Sequence, residues 1–322
     1  MKQVVIIIPN LNGKELLKTC LPSVFAQSFS DFEVWVVDNG STDDSVDFLK
    51  GNFPQVRFIE NKKNLGFAKA VNLAIEKTKS EYVVLLNNDT KVEKDWLKFL
   101  VEAAKKHKEC ASVTSKILSF DGKKIESAGD KINIVGQAFP IGRGQSRNNL
   151  SKPRYIMGAT GGASLFKRAV FEKIGLFDED FFFYFEDVDW ALRAQLAGFK
   201  SYYEPASIVF HKVGETAKKF GNFVEFQRFR NTIFLVMKNF PFKLILKRGR
   251  WWKIPLVWTH TFYFFVKYGM AWQAFRVIVD VIFNLPKLIA KRFKVMKLKK
   301  VNINYIDNLA EEKKLNFFGF RV

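Results

Sequence analysis

The segment Phe181-Phe182-Phe183-Tyr184-Phe185-Glu186-Asp187-Val188-Asp189-Trp190 sets three carboxylates within four residues, inside an aromatic wall. Aromatic surroundings strip water from a carboxylate and raise its pKa, which suits a general base. Adjacent Glu186 and Asp187 at a helix start point in different directions, so at most one or two of the three acids face a cavity. The competing reading is helix N-terminal acid complementing the dipole; it explains the acids but not the aromatic run. A second cluster, Asn87-Asn88-Asp89, closes an unbroken apolar run, so Asp89 projects from a rigid element. A hard dication takes oxygen ligands and keeps company with phosphate oxygens, and one protein carboxylate suffices when a diphosphate supplies the rest. His211 follows the apolar stretch Ser207–Phe210 and is either a further metal ligand or an ordinary satisfied polar residue. His107 and His260 have no such company and read as structural or surface residues.

These residues need a frame. Four apolar runs, Val4–Ile8, Val34–Val37, Val56–Ile59 and Tyr82–Leu86, read as strands buried on both faces, as a parallel sheet demands. Helical stretches lie between and after them: 14–27, 43–50, 66–78 and 96–107. Ser41 and Thr42 with Asp43-Asp44 supply capping oxygens for the second helix. The βαβα rhythm predicts a doubly wound sheet. Ligands of such a sheet bind beyond the carboxyl ends of its strands. Pro9-Asn10-Leu11-Asn12-Gly13, Asp38-Asn39-Gly40-Ser41 and Asn87-Asn88-Asp89 all fall there. One such cluster is explained by turn chemistry; three at successive strand ends point to a shared site. Residues 112–156 lose the rhythm and read as β-hairpins or an acceptor-side loop. Glu186–Ala197 reads as a helix, with Gly198 as its stop.

At 322 residues, the chain has room for one catalytic domain and an appendage. Cys20 and Cys110 lie far apart, which argues against a disulfide framework or zinc site and suits a reducing compartment. The first apolar run is too short for an export signal. The net charge of +20 is uneven: residues 206–322 carry 23 Lys and Arg against 6 acids. Such asymmetry points to an anionic partner.

Taken in order, these pieces resemble the family 2 glycosyltransferases of the GT-A fold, most closely their bacterial rhamnosyltransferase-like branch. The resemblance runs over residues 3–235. It rests on Ile6–Gly13, Val37–Asp43, Asn64-Leu65-Gly66-Phe67-Ala68 with Asn72, Leu86–Asp89, Gly158–Phe166, Phe185–Trp190 with Arg193, His211 and Arg230-Asn231. It implies a GT-A Rossmann-like, mostly parallel α/β sheet and a nucleotide-diphosphate sugar donor. Pro9 and Asp38 would hold the nucleotide base, and Asn64, Gly66 and Asn72 the nucleoside and diphosphate side. Asn10, Asn12, Asn39, Asn88, Gly161 and Gly162 join that nucleotide-sugar-binding set. Asp89 stands last in the Asp-x-Asp metal motif, whose first acid is Asn87 here, and His211 where a distal metal-binding histidine lies. The metal would be Mg²⁺ or Mn²⁺. Asp187 would be the catalytic base of an inverting transfer, with Glu186 and Asp189 orienting it or the acceptor.

Residues 238–300 carry 15 Lys and Arg and a single acid, Asp280, interleaved with aromatics. Their apolar runs fall short of a bilayer span, and Phe275, Ile278, Val279, Ile282, Leu285 and Ile289 recur at helical spacing. This is the profile of helices lying in a membrane interface. The chain therefore reads as a catalytic domain over 1–235 and a basic amphipathic helical region over 236–322. It is expected at the cytoplasmic face of the plasma membrane, peripheral, on an anionic surface near a glycan or polyprenyl-linked acceptor. A nucleic-acid partner is not expected, because no groove-reading or stacking module is present. A sugar-phosphate nucleotidyltransferase would want a Gly-rich, basic loop after the first strand, and Asn10-Leu11-Asn12-Gly13-Lys14 is poor in that respect.

Overall fold

The structure is a computed structural model that describes residues 2–212 and 221–311. Strands β1 (Val4–Asn10), β2 (Phe32–Asp38), β3 (Arg57–Glu60) and β4 (Tyr82–Leu86) alternate with helices α1 (Lys14–Phe25), α2 (Ser45–Asn52) and α3 (Phe67–Lys77). There follow β5 (Thr90–Val92), α4 (Trp96–Lys106), β6 (Cys110–Ser119) and the short strands β7 (Ile125–Ser127), β8 (Asp130–Asn133), β9 (Ala138–Pro140) and β10 (Arg154–Ile156). The catalytic half closes with β11 (Ala163–Lys167), α5 (Arg168–Ile174), α6 (Glu186–Leu196) and β12 (Lys200–His211). Beyond it lie α7 (Asn222–Asn239), α8 (Phe242–Leu246), α9 (Arg250–Lys267), α10 (Ala271–Leu298), α11 (Ile303–Leu309) and β13 (Ala310–Glu311).

Among the described residues the main sheet has ten strands, eight on the path β10-β12-β6-β11-β4-β1-β2-β3, with β5 beside β12 and β7 beside β6. β3, β2, β1 and β4 are mutually parallel. β11 runs antiparallel to both β4 and β6, and β12 is parallel to β6. β6 and β12 therefore point the same way as β4, and the carboxyl ends of β1, β2, β4 and β12 share one rim. Alternate residues of a strand face opposite sides, and both sides of β1 are buried. Val4, Ile6 and Ile8 pack with α1 and α4, whereas Val5 and Ile7 pack with α3, α5 and α6. That is the doubly wound arrangement the apolar runs predict.

Three local expectations change. β6 is a full sheet strand, buried at all but its last position, where the polar pattern read as hairpin or loop. Helix α2 starts at Ser45 after Asp44, whose side chain makes no capping bond; Asp43 Oδ1 accepts from the Ser45 N–H at 3.1 Å. The expected boundary at residue 235 falls inside α7. Phe181, Val188 and Leu192 also share one apolar cluster with Phe234, Leu244, Val257 and Leu288. Residues 312–322 of the expected C-terminal region lie outside the described residues. Both cysteines are free and buried, and burial pushes each thiol up to about 12, so neither is poised as a nucleophile.

Candidate active site

The strand ends meet in a cavity of about 660 Å³. Pro9, Asn10, Asn39, Asn64 and Gly66 line one end, with Asn88 and Asp89 behind them; Gly161, Gly162, Glu186 and Asp187 line the other. Hydrogen bonds fix the first end. Asn10 donates to Asp38 Oδ1 at 2.9 Å and accepts from Asn88 Nδ2 at 2.7 Å. Asn39 donates to Asn64 Oδ1 at 2.9 Å and to the Gly66 carbonyl at 3.1 Å, and accepts from the Leu65 N–H. Gly66 adopts φ +84°, and a Cβ there would lie 2.5 Å from the Phe182 ring. Glycine at this position lets the aromatic loop close over the rim.

In the same cavity Asp89 stands just after β4 and His211 ends β12. β12 pairs antiparallel with β5, His211 opposite Thr90, which brings His211 Nε2 to 3.0 Å from Asp89 Oδ1. That oxygen is buried and has no well-directed hydrogen bond. A buried carboxylate oxygen with a poorly directed partner is under-satisfied, and together with the imidazole nitrogen it fits a divalent cation. Among the described residues no group of three or more His, Cys, Asp or Glu could hold a metal. The described residues thus offer two donor atoms, a set that fits an ion sharing its remaining positions with diphosphate oxygens and water.

The third feature is acidic. Asp187 opens α6, where its Oδ2 accepts from the Gly161 N–H at 2.7 Å and its Oδ1 from the Val188 N–H at 2.8 Å. Burial raises its pKa, and these two N–H groups pull it back down. Glu186 is pushed well above the usual carboxylate range, by burial first and then by Asp187; its Oε2 is buried without a hydrogen-bond partner. Asp130 on β8, which sequence reasoning missed, lines the same cavity and is raised well above its ordinary value by burial and by Asp187. An isolated acid in a stretch without helical or strand rhythm gave no signal. Arg143, Glu225 and Arg228 also line the cavity and were not foreseen.

Four of the expected site residues make contacts within the scaffold. Asp189 is fully buried and binds Arg193, Lys238 and Asn239 at 2.8–2.9 Å, on the side of α6 away from the cavity. Asn72 joins α3 to the Phe177 backbone, donating to its carbonyl at 2.8 Å and accepting from its N–H at 3.2 Å. Asn12 (φ 49°) caps the adjoining turn by accepting from the Thr42 N–H at 2.7 Å. Asp38 is 1% exposed, and its oxygens accept from Asn10 and from the Ser41 N–H and hydroxyl, so it braces the rim from beneath.

The model of Glycosyl transferase family 2 matches residues 5–175. N-acetylglucosaminyl-diphospho-decaprenol L-rhamnosyltransferase of Mycobacterium tuberculosis is 26% identical over 267 residues, spanning 76% of this chain and 84% of that protein. Poly-beta-1,6-N-acetyl-D-glucosamine synthase of Staphylococcus epidermidis is 25% identical over 64% of this chain and 48% of its own length. Among solved structures, a mannosyltransferase from Pyrobaculum calidifontis in complex with GDP-Man and Mn²⁺ aligns with a TM-score of 0.53 at 16% identity, over 92% of this chain and 86% of that one. GalNAc-T7 with UDP, GalNAc and Mn²⁺ gives 0.59 at 16% identity, over 74% of this chain and 48% of that one. These structural likenesses speak to the fold, which is that of the GT-A glycosyltransferases. The family match speaks to the chain itself, since it covers more than half of the sequence and takes in the strand-end clusters through Asp89: this protein is a glycosyltransferase belonging to Glycosyl transferase family 2.

Proposed function

We propose that the protein transfers a sugar, with inversion, from a nucleoside-diphosphate donor to a hydroxyl of a glycan or polyprenyl-linked acceptor in cell-surface polysaccharide synthesis. The observation that carries this reading is that Asp187, at the start of α6, and the Asp89–His211 pair, at the ends of β4 and β12, face one cavity. The nucleotide lies toward Pro9, Asn39 and Asn64, and the diphosphate toward Asn88 and Asp89. Asp89 and His211 would hold Mg²⁺ or Mn²⁺, which offsets the charge that builds on a leaving diphosphate. Asp187 takes the proton from the acceptor hydroxyl, and its two N–H donors keep the carboxylate aimed while it does so. The Phe182, Phe183, Tyr184 and Phe185 side chains wall off water and offer aromatic faces to the acceptor.

The mycobacterial relative supports a lipid-diphosphate acceptor and makes L-rhamnose the first sugar to test. Among the described residues no helix is long and apolar enough to cross a membrane. Among the described residues, all exposed large hydrophobics except Phe58, Phe120 and Tyr155 lie between Phe242 and Phe293. That distribution supports peripheral docking of α9 and α10 on an anionic surface, at the cytoplasmic face of the plasma membrane. We place the division between catalytic and membrane-facing regions after α7 rather than within it.

The test is a panel of nucleotide sugars with Mn²⁺, followed by mass spectrometry for donor hydrolysis and, with a lipid-linked acceptor, for transfer. Asp187→Asn should abolish transfer and leave nucleotide binding nearly intact. Near-normal turnover in that variant overturns the base assignment.

A further inference from the structure

The chain between Phe181 and Glu186 contains no glycine, yet Phe182, Tyr184 and Phe185 take φ of 61°, 66° and 71°. Bulky side chains in the left-handed region are rare, and each such residue is strained. A loop of this composition does not adopt that path on its own account; its surroundings impose it. One constraint is a side chain on α7. Asn231 is fully buried, and its Nδ2 donates to the carbonyls of Phe181 at 2.9 Å, Phe183 at 3.0 Å and Tyr184 at 2.7 Å. The orientation of the amide is itself fixed, because its Oδ1 accepts from Arg230 Nε at 3.1 Å. Arg230 in turn donates to the Asp180 carbonyl at the start of the same loop.

The path of the loop matters to the site at both ends. Phe185 is the residue before α6, and its left-handed conformation sets the direction in which Glu186 and Asp187 enter the cavity. At the other end the Phe182 carbonyl accepts from the Ala68 N–H at 3.3 Å, beside Gly66. Relaxation of the loop to ordinary φ values would withdraw the aromatic wall and turn the start of α6.

We infer that Asn231 is a positioning residue: its amide holds the Phe181–Phe185 loop in the strained path that aims Asp187 and the aromatic wall at the acceptor. The inference rests on the reading of Asp187 as the base. Its role differs from that of a packing residue, because its bonds go to the backbone of the loop that delivers the reacting group.

The experiment uses full-length Asn231→Ala and Asn231→Asp, with the donor and acceptor that the panel identifies. Unfolding curves, nucleoside-diphosphate titration and the pH dependence of kcat are read together. Loss of aim predicts a fall in kcat of about 100-fold, the effect of a displacement near 1 Å. Nucleotide affinity should stay within about threefold, which assigns the loss to the chemical step. The Asp variant keeps the size of the side chain, so it carries the test should the Ala variant fail to fold. Its carboxylate repels three carbonyls, but when protonated it regains one donor; its activity relative to wild type should therefore rise as pH falls. A kcat that falls only with the folded fraction, or no such rise, overturns the inference. Turnover by Asp187→Asn would defeat the base reading and this inference with it. Normal turnover by Asn231→Ala beside an inactive Asp187→Asn defeats the inference alone.

Discussion

Lys238→Met should destabilise the protein by about 3 kcal/mol at neutral pH, although residue 238 lies far along the chain from the acids it serves. Lys238 Nζ lies 2.6 Å from Asp178 Oδ2 and 2.8 Å from Asp189 Oδ1, and the three side chains are 4%, 7% and 0% exposed. Breaking a buried pair by removing one partner costs about 3–5 kcal/mol, because a buried charge is left behind. Here each carboxylate keeps some company: Asp178 keeps Lys291, and Asp189 keeps Arg193 and Asn239. The lower end of the range follows. The pH dependence sharpens the prediction. Burial alone would push the Asp178 carboxyl up, but Lys238 and Lys291 outweigh it and hold the group well below the usual carboxylate range. A folded pKa below the unfolded one gives stability that is present above the unfolded value and is lost as pH falls through the folded value. Removing Lys238 raises that folded value, so the gap between wild type and variant should be widest near neutrality and narrow as pH drops below about 4. Urea unfolding followed by tryptophan fluorescence at several pH values measures it. Asp178→Asn added to Lys238→Met should recover part of the loss. A deficit under about 1 kcal/mol, or one independent of pH, would refute the argument.

Further outcomes follow from the site. A Cβ at Gly13 would lie 2.3 Å from Asn88 Nδ2 and 2.4 Å from Asn10 Oδ1; Gly13→Ala should part these amides and weaken nucleoside-diphosphate binding about tenfold by calorimetry, with the unfolding midpoint little changed. Burial raises the Asp187 pKa, and a base works only when deprotonated, so transfer should rise with pH through a limb above the ordinary aspartate range. Asp89→Ala should abolish Mn²⁺ binding in the presence of nucleoside diphosphate, followed by electron paramagnetic resonance, and chelation should stop wild-type transfer. Trp272→Glu with Phe283→Glu should reduce flotation on anionic liposomes and leave hydrolysis of a soluble donor unchanged; equal flotation would count against docking by α10.

What could be read from the sequence followed the strength of local patterning. Val4–Ile8 and Tyr82–Leu86 are continuous apolar runs, and each lies within an observed strand. β6 escaped notice because its two buried faces carry Ser112, Thr114, Ser115 and Lys116. Their polar atoms are satisfied across the sheet by Ser201, Ser164, Ser207 and the Asn149 carbonyl. Such pairing is a tertiary fact with no local signature. The same holds within the site. Asp89 and Asp187 stood out through cluster and context, whereas the task of Asp189 is decided by Lys238 and Asn239, about fifty residues away. Periodicity placed the three acids of the Glu186–Asp189 turn on a helix, but which of them faces the cavity depends on what packs behind that helix.

The charge of the C-terminal region deserves a different account from the one composition suggests. A surplus of 23 cations over 6 acids across residues 206–322 points outward, to an anionic partner. In the folded protein part of that surplus points inward. Lys238 and Lys291 bind Asp178, Lys287 and Lys291 bind Asp180, and Lys238 reaches Asp189, so these lysines neutralise acids of the catalytic half. α10 thus sends lysines toward the loop before α6 while exposing Ile282, Phe283, Ile289 and Phe293. A chain cut at residue 235 would lose the last turn of α7 and leave Asp178 and Asp189 short of their cations. Its failure to bind membranes would report unfolding as readily as a lost docking surface. Substitutions on the exposed face of the intact chain separate the two effects, because that face is outside the network that holds α6.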